Sequence, residues 1–192
     1  MRRVFVYGDS NVYGANGATN IRVPYDQRWV QLLQKLVDGK FEVISNGVSG
    51  RIAGDYRADK PDRNGKDDFI SKYDKVGVVD ILVIALGTND LQDKFQRSVD
   101  NILNDLLWYQ TVAGSAQVVY LLPANFDTSD EAGPQFNERA QLLRHELIEH
   151  KEQLGNTIVI SDVALSDGLH YSPKGHEAVA KVVAETLERF DR

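Results

Sequence analysis

The stretch that most restricts the fold is Asp80-Ile81-Leu82-Val83-Ile84-Ala85-Leu86, in which six apolar residues follow one another with no polar alternation. A strand with one wet face alternates, so a strand apolar on both faces belongs at the centre of a parallel sheet covered on either side. Four further runs read as strands: Val4–Tyr7, Phe41–Ile44, Gln117–Leu122 and Thr157–Ser161. Parallel neighbours cannot be joined by tight hairpins, and the segments between these runs carry helical periodicity. The expectation is a three-layer α/β domain in which a doubly wound, five-stranded parallel sheet is flanked by helices, with no second domain over 1–192.

The helices are placed by their apolar stripes. Arg28–Val37 aligns Trp29, Leu33, Leu36 and Val37, and a short helix is expected over Asp67–Tyr73. Asp93–Ala113 carries Val99, Ile102, Leu103, Leu106 and Leu107. Phe136, Ala140, Leu143, Leu147 and Ile148 mark the next helix. The last starts at Ser172-Pro173, an N-cap followed by proline, and runs to about Phe190. Arg51–Lys66 and Pro123–Pro134 hold the glycine, proline and short polar residues of long surface loops.

Composition narrows the chemistry. The 192 residues include no cysteine, which removes disulfides, thiol nucleophiles and cysteine-ligated zinc, and permits a reducing compartment. A net charge of −6, with both signs interspersed, gives no basic face for a nucleic acid. Arg2-Arg3 precedes only Val4–Tyr7, too short an apolar run for a signal-peptide core or a membrane span, so a cytoplasmic protein without a membrane partner is expected.

The chemistry gathers where apolar runs stop. Gly8-Asp9-Ser10-Asn11 turns sharply at the end of the first strand, where open α/β sheets hold ligands, and this is a place for a nucleophilic serine. Asn46-Gly47-Val48-Ser49-Gly50 and Gly87-Thr88-Asn89-Asp90 occupy equivalent positions. Asp167-Gly168-Leu169-His170 sets a carboxylate and an imidazole three residues apart on one loop. A serine hydroxyl needs a base to become nucleophilic, and histidine oriented by a carboxylate supplies one at neutral pH.

These four blocks, in this order, resemble those of the SGNH (GDSL-type) hydrolase family, over nearly the whole chain from Val4 to about His176. The resemblance implies the flavodoxin-like strand order 2-1-3-4-5. It makes Ser10 the nucleophile, His170 the base and then the acid, and Asp167 the residue that orients it. It also implies an oxyanion hole built from the backbone N–H groups of Ser10 and Gly50 and the side-chain amide of Asn89. Asp9 and Asp90 are read as braces for these loops and His176 as structural. Arg28-Trp29, Gly50-Arg51, Asn64-Gly65 and Leu86-Gly87-Thr88-Asn89-Asp90 look similar to the arylesterase and acyltransferase branch, whose members take short acyl esters, some passing the acyl group to alcohols. Asn11, Tyr13, Trp29 and Phe126, with Tyr56, are the candidates to touch substrate.

The expected activity is therefore a serine esterase acting on a small-molecule ester without metal or cofactor. Carbohydrate O-acetylesterase and thioesterase or lysophospholipase activities share the same motifs, and the branch leaves room for a homo-oligomer. A non-hydrolytic, flavodoxin-like nucleotide-binding protein is the rival from another class, but it has no need of Asp167 and His170. Other signals fail: Gly8-Asp9-Ser10-Asn11-Val12 lacks the second glycine of the G-x-S-x-G elbow. His145 and His150 are five apart, not four, as a zinc-protease helix requires.

Overall fold

A computed structural model describes residues 1–128 and 132–190. Strands β1 (Arg2–Gly8), β2 (Phe41–Gly47), β3 (Ile81–Ala85), β4 (Gln117–Leu121) and β5 (Thr157–Ile158) form one parallel sheet in the order β2-β1-β3-β4-β5. The α-helices are α1 (Ser10–Tyr13), α2 (Trp29–Leu36), α3 (Gly65–Val76), α4 (Val99–Val112), α5 (Glu138–Glu149) and α6 (Pro173–Glu188). The α/β architecture and strand order are those expected from the sequence.

Side chains of successive strand residues point to opposite faces, and the core divides accordingly. Val4, Val6, Ile81 and Val83 join Trp29, Leu33, Val179 and Val183 of α2 and α6. Phe5, Tyr7, Leu82 and Ile84 join Phe69, Leu106, Tyr109 and Leu147 of α3, α4 and α5. Helices therefore cover both faces. Beyond β1 the chain turns toward β2, beyond β3 it turns toward β4, and the crevice between these neighbouring carboxyl ends is the topological switch point. No helix among the described residues is long and apolar enough to cross a membrane.

Local departures from the sequence reading have identifiable causes. Helix α4 starts at Val99 rather than Asp93, because Gln96 takes a left-handed conformation (φ 48°) and Ser98 forms a capping box with Asn101. Leu36 is 53% exposed although Trp29, Leu33 and Val37 are buried. At roughly 100° per residue the buried arc is completed by Val30, and Leu36 falls off its edge. Helix α3 begins two residues early, at Gly65, and extends to Val76. Strand β5 ends at Ile158, whose carbonyl accepts the Leu122 N–H at 3.0 Å. Residues 129–131 of the Pro123–Pro134 loop lie outside the described residues.

His176 fastens α6 to α2. Fully buried, it uses Nδ1 to accept the N–H of Trp29, the first residue of α2, at 3.2 Å. That bond needs the neutral ring, and burial, reinforced by Arg28, lowers its pKa from 6.5 to about 4. A histidine that protonates more readily unfolded than folded contributes stability that is complete above pH 6.5 and is lost as pH falls toward 4. The shift is worth about 3 kcal/mol. Urea unfolding at pH 7 and pH 4 should thus show the native chain losing about that much more stability than His176→Gln, which can still accept the bond but cannot charge. Equal losses would refute the assignment. Only the difference is diagnostic, because burial raises the pKa of Asp9 to about 6 and of Asp90 to about 7, and both act with the opposite sign.

Candidate active site

Ser10 owes its position to a one-turn helix. Asp9 caps it by accepting the Asn11 N–H at 2.9 Å, and Gly14, left-handed at φ 81°, closes it by donating to the Ser10 carbonyl. The turn lies so tightly against β2 that a Cβ on Gly47 would stand 2.6 Å from the Val12 carbonyl carbon; glycine alone fits. Ser10 is 6% exposed.

The loop after β5 carries the other two groups. It is drawn closed by an antiparallel bridge between Leu165 and Tyr171 and by the Ser166 N–H donating to the His170 carbonyl at 2.8 Å. Within it, Asp167 Oδ1 accepts the N–H groups of His170 (2.7 Å) and Leu169 (3.2 Å), while Oδ2 accepts from His170 Nδ1 at 2.7 Å. With its proton held on Nδ1, the imidazole turns a bare Nε2 toward Ser10 Oγ at 3.1 Å. Burial pushes the Asp167 carboxyl upward, but the hydrogen bonds from the His170 side chain and backbone outweigh it, so Asp167 stays below the usual carboxylate range. A hydroxyl, an oriented imidazole and an ionised carboxylate thus form one continuous chain, able to deprotonate the serine and then return the proton to a leaving group.

The three groups expected to serve as oxyanion donors each have an N–H to spare. Neither the Ser10 N–H nor that of Gly50, left-handed at φ 78°, has a hydrogen-bond partner among the described residues. The Asn89 amide is clamped at both ends: Nδ2 donates to the Arg51 carbonyl at 3.0 Å and Oδ1 accepts from Gln92 at 3.1 Å. One amide hydrogen is left over. Three donors whose orientation is fixed before any substrate arrives are suited to a developing oxyanion.

The loops bearing these donors are tied together from beneath. Asp9 accepts the Asn11 N–H at 2.9 Å and lies beside the Thr88 hydroxyl, so the first block abuts the third. Asp90 accepts the Ala53 N–H at 3.1 and 2.9 Å and the Tyr56 hydroxyl at 3.0 Å, linking the third block to the loop that follows the second. Bracing is the role the sequence suggested for both.

Arg51 is fully buried and stacks 4.0 Å over Tyr7. Its Nη1 donates to the carbonyls of Gly8 and Asn46, and its Nη2 to Asn46 Oδ1 and to Asp68, each at 2.8–3.0 Å. A single guanidinium therefore joins the ends of β1 and β2 to α3. Sequence reasoning missed this function, because an arginine in a polar loop reads as surface.

The candidate substrate contacts fare differently. Asn11 is 6% exposed and occupied: its Oδ1 accepts the Tyr171 N–H at 3.0 Å and its carbonyl accepts Trp29 Nε1 at 3.1 Å. It joins the serine turn to the histidine loop. Trp29 is wholly buried in the α2–α6 core, because its indole N–H finds a partner inside. Phe126 is 4% exposed and packs T-shaped on Phe136 at 5.3 Å, though it also lines a groove with Asn125, Val163 and Gly168. Tyr13 is half-buried beneath the Arg22 guanidinium at 3.7 Å, and Tyr56 is committed to Asp90. His145 pairs on the surface with Glu149 at 3.3 Å.

Residues 6–178 match the model of the GDSL-like lipase/acylhydrolase family. No curated protein matches the sequence. Among solved structures, the fold is similar to the aryl esterase of M. smegmatis (TM-score 0.87, 21% identity, covering 98% of this chain and 99% of that one). It is also similar to a carbohydrate acetylesterase family member from Sinorhizobium meliloti (0.83, 20%, 98% of each chain). A lipase/acylhydrolase from Enterococcus faecalis aligns with TM-score 0.72 at 18% identity, over 99% of this chain and 97% of that one.

Proposed function

The chain belongs to the GDSL-like lipase/acylhydrolase family and is an ester-hydrolysing enzyme, and from that premise we propose that it works through an acyl-enzyme on Ser10 and takes short acyl groups. The observation that carries the proposal is the hydrogen-bonded chain from Ser10 through His170 to Asp167 at the switch point of the sheet.

In this reading His170 Nε2 removes the Ser10 proton as Oγ attacks the ester carbonyl, and the imidazolium is held by Asp167. The N–H groups of Ser10, Gly50 and Asn89 take the charge that develops on the carbonyl oxygen. His170 then protonates the departing alcohol and afterwards activates water to release the acid. Another alcohol in place of water would make the step a transfer.

Support for short acyl chains comes from the arylesterase-branch motifs Arg28-Trp29, Gly50-Arg51 and Asn64-Gly65 and from the likeness to the M. smegmatis aryl esterase structure. Initial rates on p-nitrophenyl acetate, butyrate, hexanoate and octanoate test this: the acetate or butyrate should turn over fastest, with rates falling thereafter. An octanoate optimum would refute the length preference. A carbohydrate acetyl ester as natural substrate is a second reading, favoured by the likeness to the S. meliloti structure, and acetylated sugars belong in the same panel.

A further inference from the structure

The segment between α1 and α2 leaves the serine turn and comes back over the acid–base pair. Its base is pinned: the Val23 N–H donates to the Gly14 carbonyl at 2.9 Å, Val23 is 1% exposed, and Arg22 donates to the Tyr13 carbonyl at 3.0 and 2.6 Å. Ten residues with joined ends form a compact loop, and residues 17–22 are exposed on its outer side. Its inner side meets Asp167. A Cβ built on Gly17 would stand 2.8 Å from Asp167 Cγ and 3.3 Å from His170 Nδ1, and would overlap Oδ2 outright. Gly17 has no left-handed backbone to explain the glycine. What demands it is the carboxylate.

We propose that Gly17 is a positioning residue for the hydrolytic reaction: its bare main chain presses on the carboxylate face of Asp167, excludes water from Oδ2 and holds that oxygen on His170. The inference rests on the acyl-enzyme reading above. Asp167 already has Oδ1 filled by two backbone N–H groups, so Oδ2 is the oxygen free to swing or hydrate. A carboxylate that shares Oδ2 with solvent holds an imidazolium less firmly, because water competes for the lone pairs and raises the local dielectric. With Gly17 seated, the Asp167 and His170 side chains are only 16% and 18% exposed. The contact is steric, so a single methyl group suffices to disturb it.

Gly17→Ala should lower kcat by about 10–100-fold with KM within about twofold, the signature of misaligned catalytic groups rather than lost binding. Two further readouts separate positioning from a general structural fault. The downfield His170 Nδ1 proton resonance should shift or broaden in Gly17→Ala, since its acceptor has moved. In an Asp167→Ala background, where no carboxylate remains to be displaced, the same Gly17→Ala change should alter kcat by less than about twofold. An unshifted resonance, or an equal loss in both backgrounds, overturns the proposal. Should no ester be turned over, it is the acyl-enzyme reading that fails, and the resonance still decides the role of Gly17.

Discussion

Ser10→Ala reduces kcat on p-nitrophenyl acetate by at least ~10³-fold while leaving the unfolding transition nearly unchanged. The two halves of this expectation have separate grounds. In the acyl-enzyme reading the hydroxyl is the group that bonds to the acyl carbon, and Asp167 and His170 would have nothing to activate without it. Its structural role is slight, because the turn is capped by Asp9 and Gly14 through side-chain and backbone groups that alanine leaves in place. Residual rate above water would come from the donors around the oxyanion, which the substitution does not touch. Activity within tenfold of the native enzyme would exclude Ser10 as nucleophile; a collapsed fold with lost activity would say nothing about nucleophilicity, and circular dichroism and urea unfolding of the same preparation separate the cases.

The largest effect on stability belongs to Arg51→Ala, expected to destabilise by about 3–5 kcal/mol, a large part of the 5–15 kcal/mol typical of whole domains. The guanidinium is fully buried, and its removal strips partners from the Gly8 and Asn46 carbonyls, the Asn46 amide oxygen and Asp68 at once. The Gly8 carbonyl keeps the Val48 N–H and Asp68 keeps Lys72, so the desolvation cost falls on the Asn46 acceptors, and the vacated volume under Tyr7 adds a cavity. Lysine does not substitute, since one ammonium cannot span the two strand ends and Asp68 as a planar fork does. Urea midpoints for the native chain, Arg51→Ala and Arg51→Lys test this directly. A loss below 1 kcal/mol in Arg51→Ala would mean that the strand ends hold together without it.

What could be read in the sequence divides along a physical line. Chemistry written in residue type and short spacing was legible: Ser10 beyond an apolar strand, Asp167 three residues before His170, Asn89 after Gly87, all at the carboxyl ends of strands. The doubly wound parallel sheet was legible in the alternation of apolar runs and helical stripes, whereas the strand order was legible only through the resemblance of the four blocks to a known family. Burial of polar and amphipathic side chains was not. Trp29 and Asn11 looked free to meet a substrate because their interior partners lie far along the chain, at Asn11 and Tyr171. Arg51 looked like surface because its ligands are main-chain carbonyls of other strands. Gly17 carried no signal at all, its requirement being set by an atom of residue 167. Where helix α4 began depended on Gln96 and the Ser98 cap, a contest between local minima that an apolar stripe does not report.

The loop that bears Asp167 and His170 also separates reach from aim. In the sheet order, β5 lies three strands from β1, about 14 Å at the usual spacing, so its chain must travel back across the sheet to meet Ser10. The travelling part, up to the anchor where Val163 donates to Asn125, is distinct from the closed segment between Leu165 and Tyr171 that does the aiming, and this second part is bonded to the serine turn itself through Asn11. Length changes accumulated over evolution, or introduced by a designer, can therefore be absorbed in the first part without retuning the acid–base geometry. The serine, its base and its carboxylate then form a transplantable unit whose internal alignment is independent of how wide the sheet beneath it grows.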